Sequence, residues 1–228
     1  MSTSNQQTLT ATLSVKIVLV AMVCMAAFSI DVSIPAIPLL QAEYGLEEGY
    51  AQFIISSYLL GFTLGQIPVG FLADRYGRLP VLYICLALFL VFSLLCVLTN
   101  NIYWLFLFRF FQGMAGTAGP VLARTIARDI GSDGDLAKLM SLLVSALAIT
   151  TLTAPMIGSY LVSWFGSSAP FAASLLLAII VLVLSVLFIK ETKPVNNNVI
   201  SRTELIKLFF RTPACLFGTA YMGFLFFG

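Results

Sequence analysis

Long apolar runs separated by short polar breaks dominate the sequence. Six of them have the length, about 20 residues, at which a helix crosses the hydrocarbon core of a bilayer. They are Lys16–Leu40, Tyr50–Ala73, Pro80–Thr99, Tyr103–Ala123, Leu139–Phe165 and Pro170–Ile189. A seventh begins near Ala214 and runs to Gly228; as a helix it reaches about 22 Å, short of the ~30 Å core. The runs are continuous rather than alternating, which argues against a β-barrel. The pattern predicts an all-α polytopic membrane protein: a tail over 1–15, a six-helix transmembrane bundle over 16–189, a polar loop over 190–213 and the start of a seventh transmembrane helix over 214–228. Within that loop, Ser201–Phe210 suits either a short amphipathic helix on the membrane surface or a solvated linker.

Composition narrows the picture. Of 228 residues, 60% are hydrophobic and only 10% are charged, against about 25% in soluble domains. Too little charge is present to cover a water-facing surface or to keep a chain disordered. The net charge of +2, with no basic run, gives no reason to expect a nucleic-acid partner. There is no histidine, which removes His-based metal sites and Ser-His or Cys-His catalysis. No Ser/Lys or Asp/Asp pair lies within the spans, so an enzyme is not expected. Cys24, Cys85, Cys96 and Cys215 all sit in apolar stretches without a CxxC pair. Lys16 ahead of the first run invites a signal-peptide reading. That run is long, however, lacks a small-x-small site followed by polar sequence, and holds Pro35 and Pro38 near its far end.

Charge then orients the spans. Arg75 and Arg78 follow span two; Arg124, Arg128 and Lys138 follow span four; Lys190, Lys193, Arg202, Lys207 and Arg211 follow span six. The loops 41–49, 100–102 and 166–169 carry no Lys or Arg, and the first holds Glu43, Glu47 and Glu48. With Lys16, every basic residue except Arg109 falls on one side, which the positive-inside rule makes cytoplasmic. The N-terminus and the 190–213 loop are expected on that side.

Two charges remain inside the spans: Asp31 in the first and Arg109 in the fourth. Each costs about 2.5–3.5 kcal/mol at a helix centre on insertion scales. Both lie about 5–6 Å outward of the middle of their spans at 1.5 Å per residue. At matched depth they can share a cavity or pair. Intramembrane ionisable groups by default line substrate or proton paths, although an ion pair that merely pins two helices is the simpler alternative. Gln112, Gly113 and Gly116 share the face of Arg109. On span two, Tyr58, Phe62 and Gly65 share a face, with Gln66 at its edge, and Gly61 and Gly65 form a GxxxG step suited to close helix approach. Tyr58, Phe62, Gln66, Gln112 and Gly113 are the candidate substrate cavity, with packing the plainer reading for the two aromatics. Asp31, the one carboxylate in the apolar spans, is the candidate proton carrier, with Arg109 beside it.

The stretch after span two reads Gly70-Phe-Leu-Ala-Asp74-Arg75-Tyr-Gly77-Arg78-Leu-Pro80-Val81. Gly77 can take the positive-φ turn that a short connection needs, and Asp74 can pair with an arginine or a helix N-terminus. This order of Gly, acid, base, Gly, base resembles the G-x-L-x-D-R-x-G-R signature of the major facilitator superfamily. Leu79 stands where a second basic residue is usual. Pro80-Val81 resembles one branch, the Bcr/CflA-like drug:proton antiporters. Asp31 with Pro35-Ala36-Ile37-Pro38, Arg109-Phe-Phe-Gln112-Gly113 with Gly116, and Lys190-Glu191-Thr192 resemble further motifs of that branch. Ala154-Pro155-Met-Ile-Gly158 resembles its G-P-x-x-G-G in span five, with Ala154 and Ser159 replacing two glycines.

The resemblance implies the N-terminal six-helix bundle of a twelve-span transporter with alternating access. It implies export of a small amphipathic, drug-like substrate against inward proton flow, with protons as the coupling ion and no cofactor. Asp31 and Arg109 would serve proton coupling. Gly70, Asp74, Arg75, Gly77 and Arg78 would latch the cytoplasmic side against the second half, and Ala154, Pro155 and Gly158 would shape the cavity wall. The expected setting is a plasma membrane, the bacterial inner membrane, and the expected partner is the C-terminal half. Against twelve spans, six and a fragment read as a partial sequence of a longer protein, a truncated non-transporting remnant or regulator, or a half that pairs with another half. A proton-coupled carrier for a small metabolite is the alternative within transport.

Overall fold

The computed structural model describes residues 13–47, 49–131 and 133–189. Residues 1–12 of the expected tail, the 190–213 loop and the expected seventh helix lie outside them, while residues 13–15 already belong to the first helix. Among the described residues, all regular structure is helical. The helices are α1 (Leu13–Asp31), α2 (Ile37–Tyr44), α3 (Phe53–Tyr76), α4 (Arg78–Leu98), α5 (Ile102–Gly116), α6 (Ala118–Ile130), α7 (Asp133–Phe165) and α8 (Ala169–Phe188), with single 3₁₀ turns at Ile34–Ala36 and Tyr50–Gln52. Among the described residues, five helical segments are long and apolar enough to cross a membrane: Leu13–Tyr44, Tyr50–Tyr76, Arg78–Leu98, Asp135–Phe165 and Ala169–Phe188.

Two expected spans are each built from two helices, and prolines explain both breaks. A proline cannot donate to the carbonyl four residues before it, and its ring crowds that carbonyl. Pro35 therefore ends α1 at Asp31, and the first span continues through the 3₁₀ turn into α2. Pro120 does the same to Gly116, where α5 ends. The 15 residues of α5 are too short to cross alone. The ladder nevertheless carries on through Thr117, whose N–H reaches the Gly113 carbonyl at 3.2 Å and whose carbonyl accepts from Val121 at 3.2 Å. The fourth crossing is thus α5 followed by α6. Helix also runs past the apolar limits: Arg124 and Arg128 lie on α6 and Lys138 on α7, where loops were expected. Hydropathy marks only the lipid-embedded part of a helix, and amphipathic turns prolong it into water.

Glycines set the closest contacts. A Cβ added to Gly61 on α3 would overlap the Phe110 carbonyl of α5, and one on Gly113 would overlap the Tyr58 carbonyl of α3. The two backbones touch, as the GxxxG step predicts. The apolar interior falls into two clusters. The larger joins α1, α3, α4, α6, α7 and α8 around Leu19, Met22, Leu82, Phe89 and Leu122. The smaller, around Leu40, Ile54, Leu105 and Phe171, closes the end of the bundle that carries α2. Arg109 lies on α5 one turn beyond Leu105.

Candidate functional site

Arg109 is completely buried, and taking a cation out of water costs several kcal/mol unless it is well bonded. The bonds come from α5 itself, from the last turn of α1 and from Ser33 just beyond it. Nη1 donates to Gln112 Oε1 at 2.9 Å and to Ser29 Oγ at 3.4 Å. Nη2 donates to Ser33 Oγ at 2.5 Å and to the Ser29 carbonyl at 3.3 Å. The guanidinium also lies 5.0 Å from the ring centroids of Tyr58 and Phe171, a cation–π arrangement. Nε alone has no partner among the described residues. Gln112 passes the network on, its Nε2 donating to Ser93 Oγ on α4 at 2.6 Å. A polar thread thus runs from α1 through α5 to α4 inside an apolar bundle.

Asp31 is half-buried at the last residue of α1. It makes no ion pair with Arg109, although pairing was one sequence expectation. The reason is helical phase. Ser29 and Ser33 stand near i, i+4 and face Arg109, whereas Asp31 is about 200° round the helix from Ser29. Arg109 still meets α1 at the level of Asp31, since its partners flank that residue. Asp31 instead faces α7, where the Thr151 side chain lies close to it. α7 comes close there because Gly158 has no side chain: a Cβ would overlap the Val32 carbonyl and stand 3.2 Å from Pro35 Cδ. Ala154 is fully buried in the same packing.

The candidate cavity residues do not all share one surface. Tyr58 is buried, donates to the Ala26 carbonyl at 3.3 Å and stacks on Phe62 at 6.5 Å between centroids. Gln112 and Gly113 are buried, the first in the polar thread and the second in the α3–α5 contact. Phe62 is half-buried and Gln66 is exposed.

At the α3–α4 turn, Gly77 has φ +107° and ψ 160°, and it alone separates the two helices. Arg78, buried at the start of α4, pairs with Asp74 at 3.2 Å and with Asp129 of α6 at 3.2 Å, and donates to the Ala73 carbonyl at 3.3 Å. Arg75 lies 5.3 Å from the centroid of the Tyr76 ring. Gly70 is an ordinary helical residue with open space at its Cβ position, and nothing in the structure explains its place in the motif.

Sequence reasoning missed Ser29, Ser33 and Ser93, which look like ordinary small residues in apolar runs. The i, i+4 spacing of the first two, out of phase with Asp31, was the available signal. It also missed Thr151, and Asp129 as the partner of Arg78.

A bundle of apolar helices with a buried cation, a carboxylate at a broken helix and glycine-tight contacts is the build of a multi-pass membrane protein. The family model described as Major Facilitator Superfamily matches residues 19–228, and the chain belongs to that family. Its members are transporters, and the chain is not an enzyme. It is 32% identical over 177 residues to "Uncharacterized MFS-type transporter YdgK" of Bacillus subtilis (strain 168), covering 77% of this chain and 44% of the relative. It is 30% identical over 190 residues to "Multidrug resistance protein D" of Escherichia coli (strain K12), covering 83% and 48%. The solved proton:xylose symporter XylE superposes with a TM-score of 0.68 at 17% identity, over 78% of this chain and 45% of that one, a likeness of fold. The chain spans about half the length of the curated relatives it matches.

Proposed function

We propose that the chain supplies the N-terminal bundle of a drug:proton antiporter of the Bcr/CflA branch. It would work in the bacterial inner membrane with its N-terminus cytoplasmic. Small amphipathic substrates leave against inward proton flow as two halves rock about a central cavity. Protons are the coupling ion, and no cofactor is required.

The observation that carries this reading is Asp31. It is a half-buried carboxylate, placed at a proline break in a transmembrane helix and without an ion pair among the described residues. Such a group can take and release a proton as the cavity opens to each side. The similarity to a multidrug resistance protein supports the substrate class. The turn at Asp74, Gly77 and Arg78 supports a cytoplasmic latch against the second half.

The test is dye efflux from cells carrying the complete gene, together with pH-driven transport in reconstituted vesicles. Efflux of an ethidium-like dye that collapses with a protonophore is expected, and Asp31→Asn abolishes it while leaving insertion intact. Unchanged pH-driven transport in Asp31→Asn would remove Asp31 from proton coupling. Accumulation of a small metabolite without dye efflux would assign an uptake carrier instead.

A further inference from the structure

The end of α1 has an unusual set of backbone partners. In an uninterrupted helix the Ser29 carbonyl would accept from the Ser33 N–H. Here that N–H turns to the Ile30 carbonyl at 3.2 Å, a tighter 3₁₀-type bond. The Ser29 carbonyl accepts instead from Arg109 Nη2 at 3.3 Å and from Ser33 Oγ at 3.2 Å. The single Ser33 hydroxyl proton is shared between that carbonyl and the nearer Ile30 carbonyl at 2.7 Å, and the oxygen accepts from Arg109 Nη2 at 2.5 Å. A helix C-terminus carries partial negative charge on its orphan carbonyls, and a cation placed there is stabilising. Arg109 is that cation, delivered from another helix. Both serines and Arg109 are fully or almost fully buried, so water does not compete for these bonds.

Asp31 lies between the two serines in sequence and on the other side of the helix. The guanidinium therefore cannot hold the carboxylate directly, but it holds the backbone that carries the carboxylate. We infer that Ser33, with Ser29, docks Arg109 as a cap on the broken end of α1, and that this cap positions Asp31. Ser33 and Ser29 are thus positioning residues, and Arg109 acts by its fork of donors rather than by its charge alone. The inference rests on Asp31 being the proton carrier. The other charged or titratable groups facing this region are few. Tyr58 lies across α1 on α3, the Cys96 thiol of α4 is within electrostatic reach of Arg109, and α7 presents no charged residue between Lys138 and its end at Phe165, Tyr160 being its one titratable side chain there. α8 is uncharged, and the charges of α6, Arg124, Arg128 and Asp129, lie in its second half.

The test uses the chain itself in lipid nanodiscs. Dicyclohexylcarbodiimide modifies protonated carboxyls within membranes, and mass spectrometry of the Asp31 peptide gives a rate at fixed pH. The variants are Ser33→Ala, Ser33→Thr, Arg109→Lys and Arg109→Gln. Lysine keeps the charge but offers a single point of donation in place of a planar fork. If the cap positions Asp31, Ser33→Ala, Arg109→Lys and Arg109→Gln each change the rate threefold or more, and Ser33→Thr restores the wild-type rate. A wild-type rate in Arg109→Lys beside a changed rate in Arg109→Gln means that charge alone matters, and overturns the inference. Wild-type rates in all four overturn it too, while leaving Asp31 as the proton carrier. An Asp31 that takes no reagent between about pH 5 and 9 overturns both. Ser33→Ala removes only one hydroxyl, so it reports even where the arginine variants do not fold.

Discussion

Asp31 and Thr151 stand in the same relation to a proline, each four residues before one, and their side chains face each other across α1 and α7. Neither carbonyl can receive the backbone N–H that would close its turn, because Pro35 and Pro155 have none. Two weakened turns therefore meet at the one carboxylate in the expected spans. α1 breaks there, whereas α7 runs on through Pro155 to Phe165.

The weakened turn in α7 can be tested directly. Pro155→Ala restores the missing donor to Thr151 and removes a residue that disfavours helix interiors by about 3 kcal/mol relative to alanine. Amide exchange over residues 151–159, followed by mass spectrometry in nanodiscs, is expected to slow at least several-fold. Exchange unchanged from wild type would show that the turn is already closed by other means.

The α3–α5 contact makes a steric prediction. Gly113→Val drives a branched side chain into the Tyr58 carbonyl, and overpacking of this kind destabilises by about 1–3 kcal/mol. A lower midpoint in detergent unfolding and faster proteolysis are expected. Gly70→Val is the control, since the Cβ position there is open.

Two glycines of one motif should respond in opposite directions. Gly77→Ala forces a side chain into φ +107°, at a cost of about 1–3 kcal/mol. Gly70→Ala sits in a regular helix and should stabilise by about 0.5–1 kcal/mol. Thermal melts of the two variants side by side give the comparison.

Arg78 reaches two acids of different exposure. The Asp74 side chain is 72% exposed and that of Asp129 17%. Exposed pairs contribute about 0.2–1 kcal/mol, whereas more buried, networked pairs couple by about 0.5–3 kcal/mol. A double-mutant cycle of Arg78→Gln with Asp129→Asn should give the larger coupling, and one with Asp74→Asn the smaller. Equal couplings would contradict the ranking.

Much of the fold was legible because lipid writes it plainly: continuous apolar runs, a GxxxG step where two helices touch, and Gly77 where a turn needs positive φ. The breaks were written less plainly. Pro35 and Pro120 announce them, but hydropathy averages across a break and returns one long span. Arg109 and Asp31 stood out as charges in apolar runs. Their actual partners did not, because serine and threonine are common in transmembrane helices and only phase distinguishes a bonded hydroxyl from a lipid-facing one. Asp129 was hidden for another reason: its bond to Arg78 spans 51 residues, and no local pattern foretells it.

Only Gly77 stands between α3 and α4, and Arg78 just beyond it is fastened back to Ala73 and Asp74. The joint is one residue long and tied across, so a tilt at the end of α3 bears directly on the start of α4. Any partner that grips the exposed Asp74 side of the turn gains purchase on both helices at once.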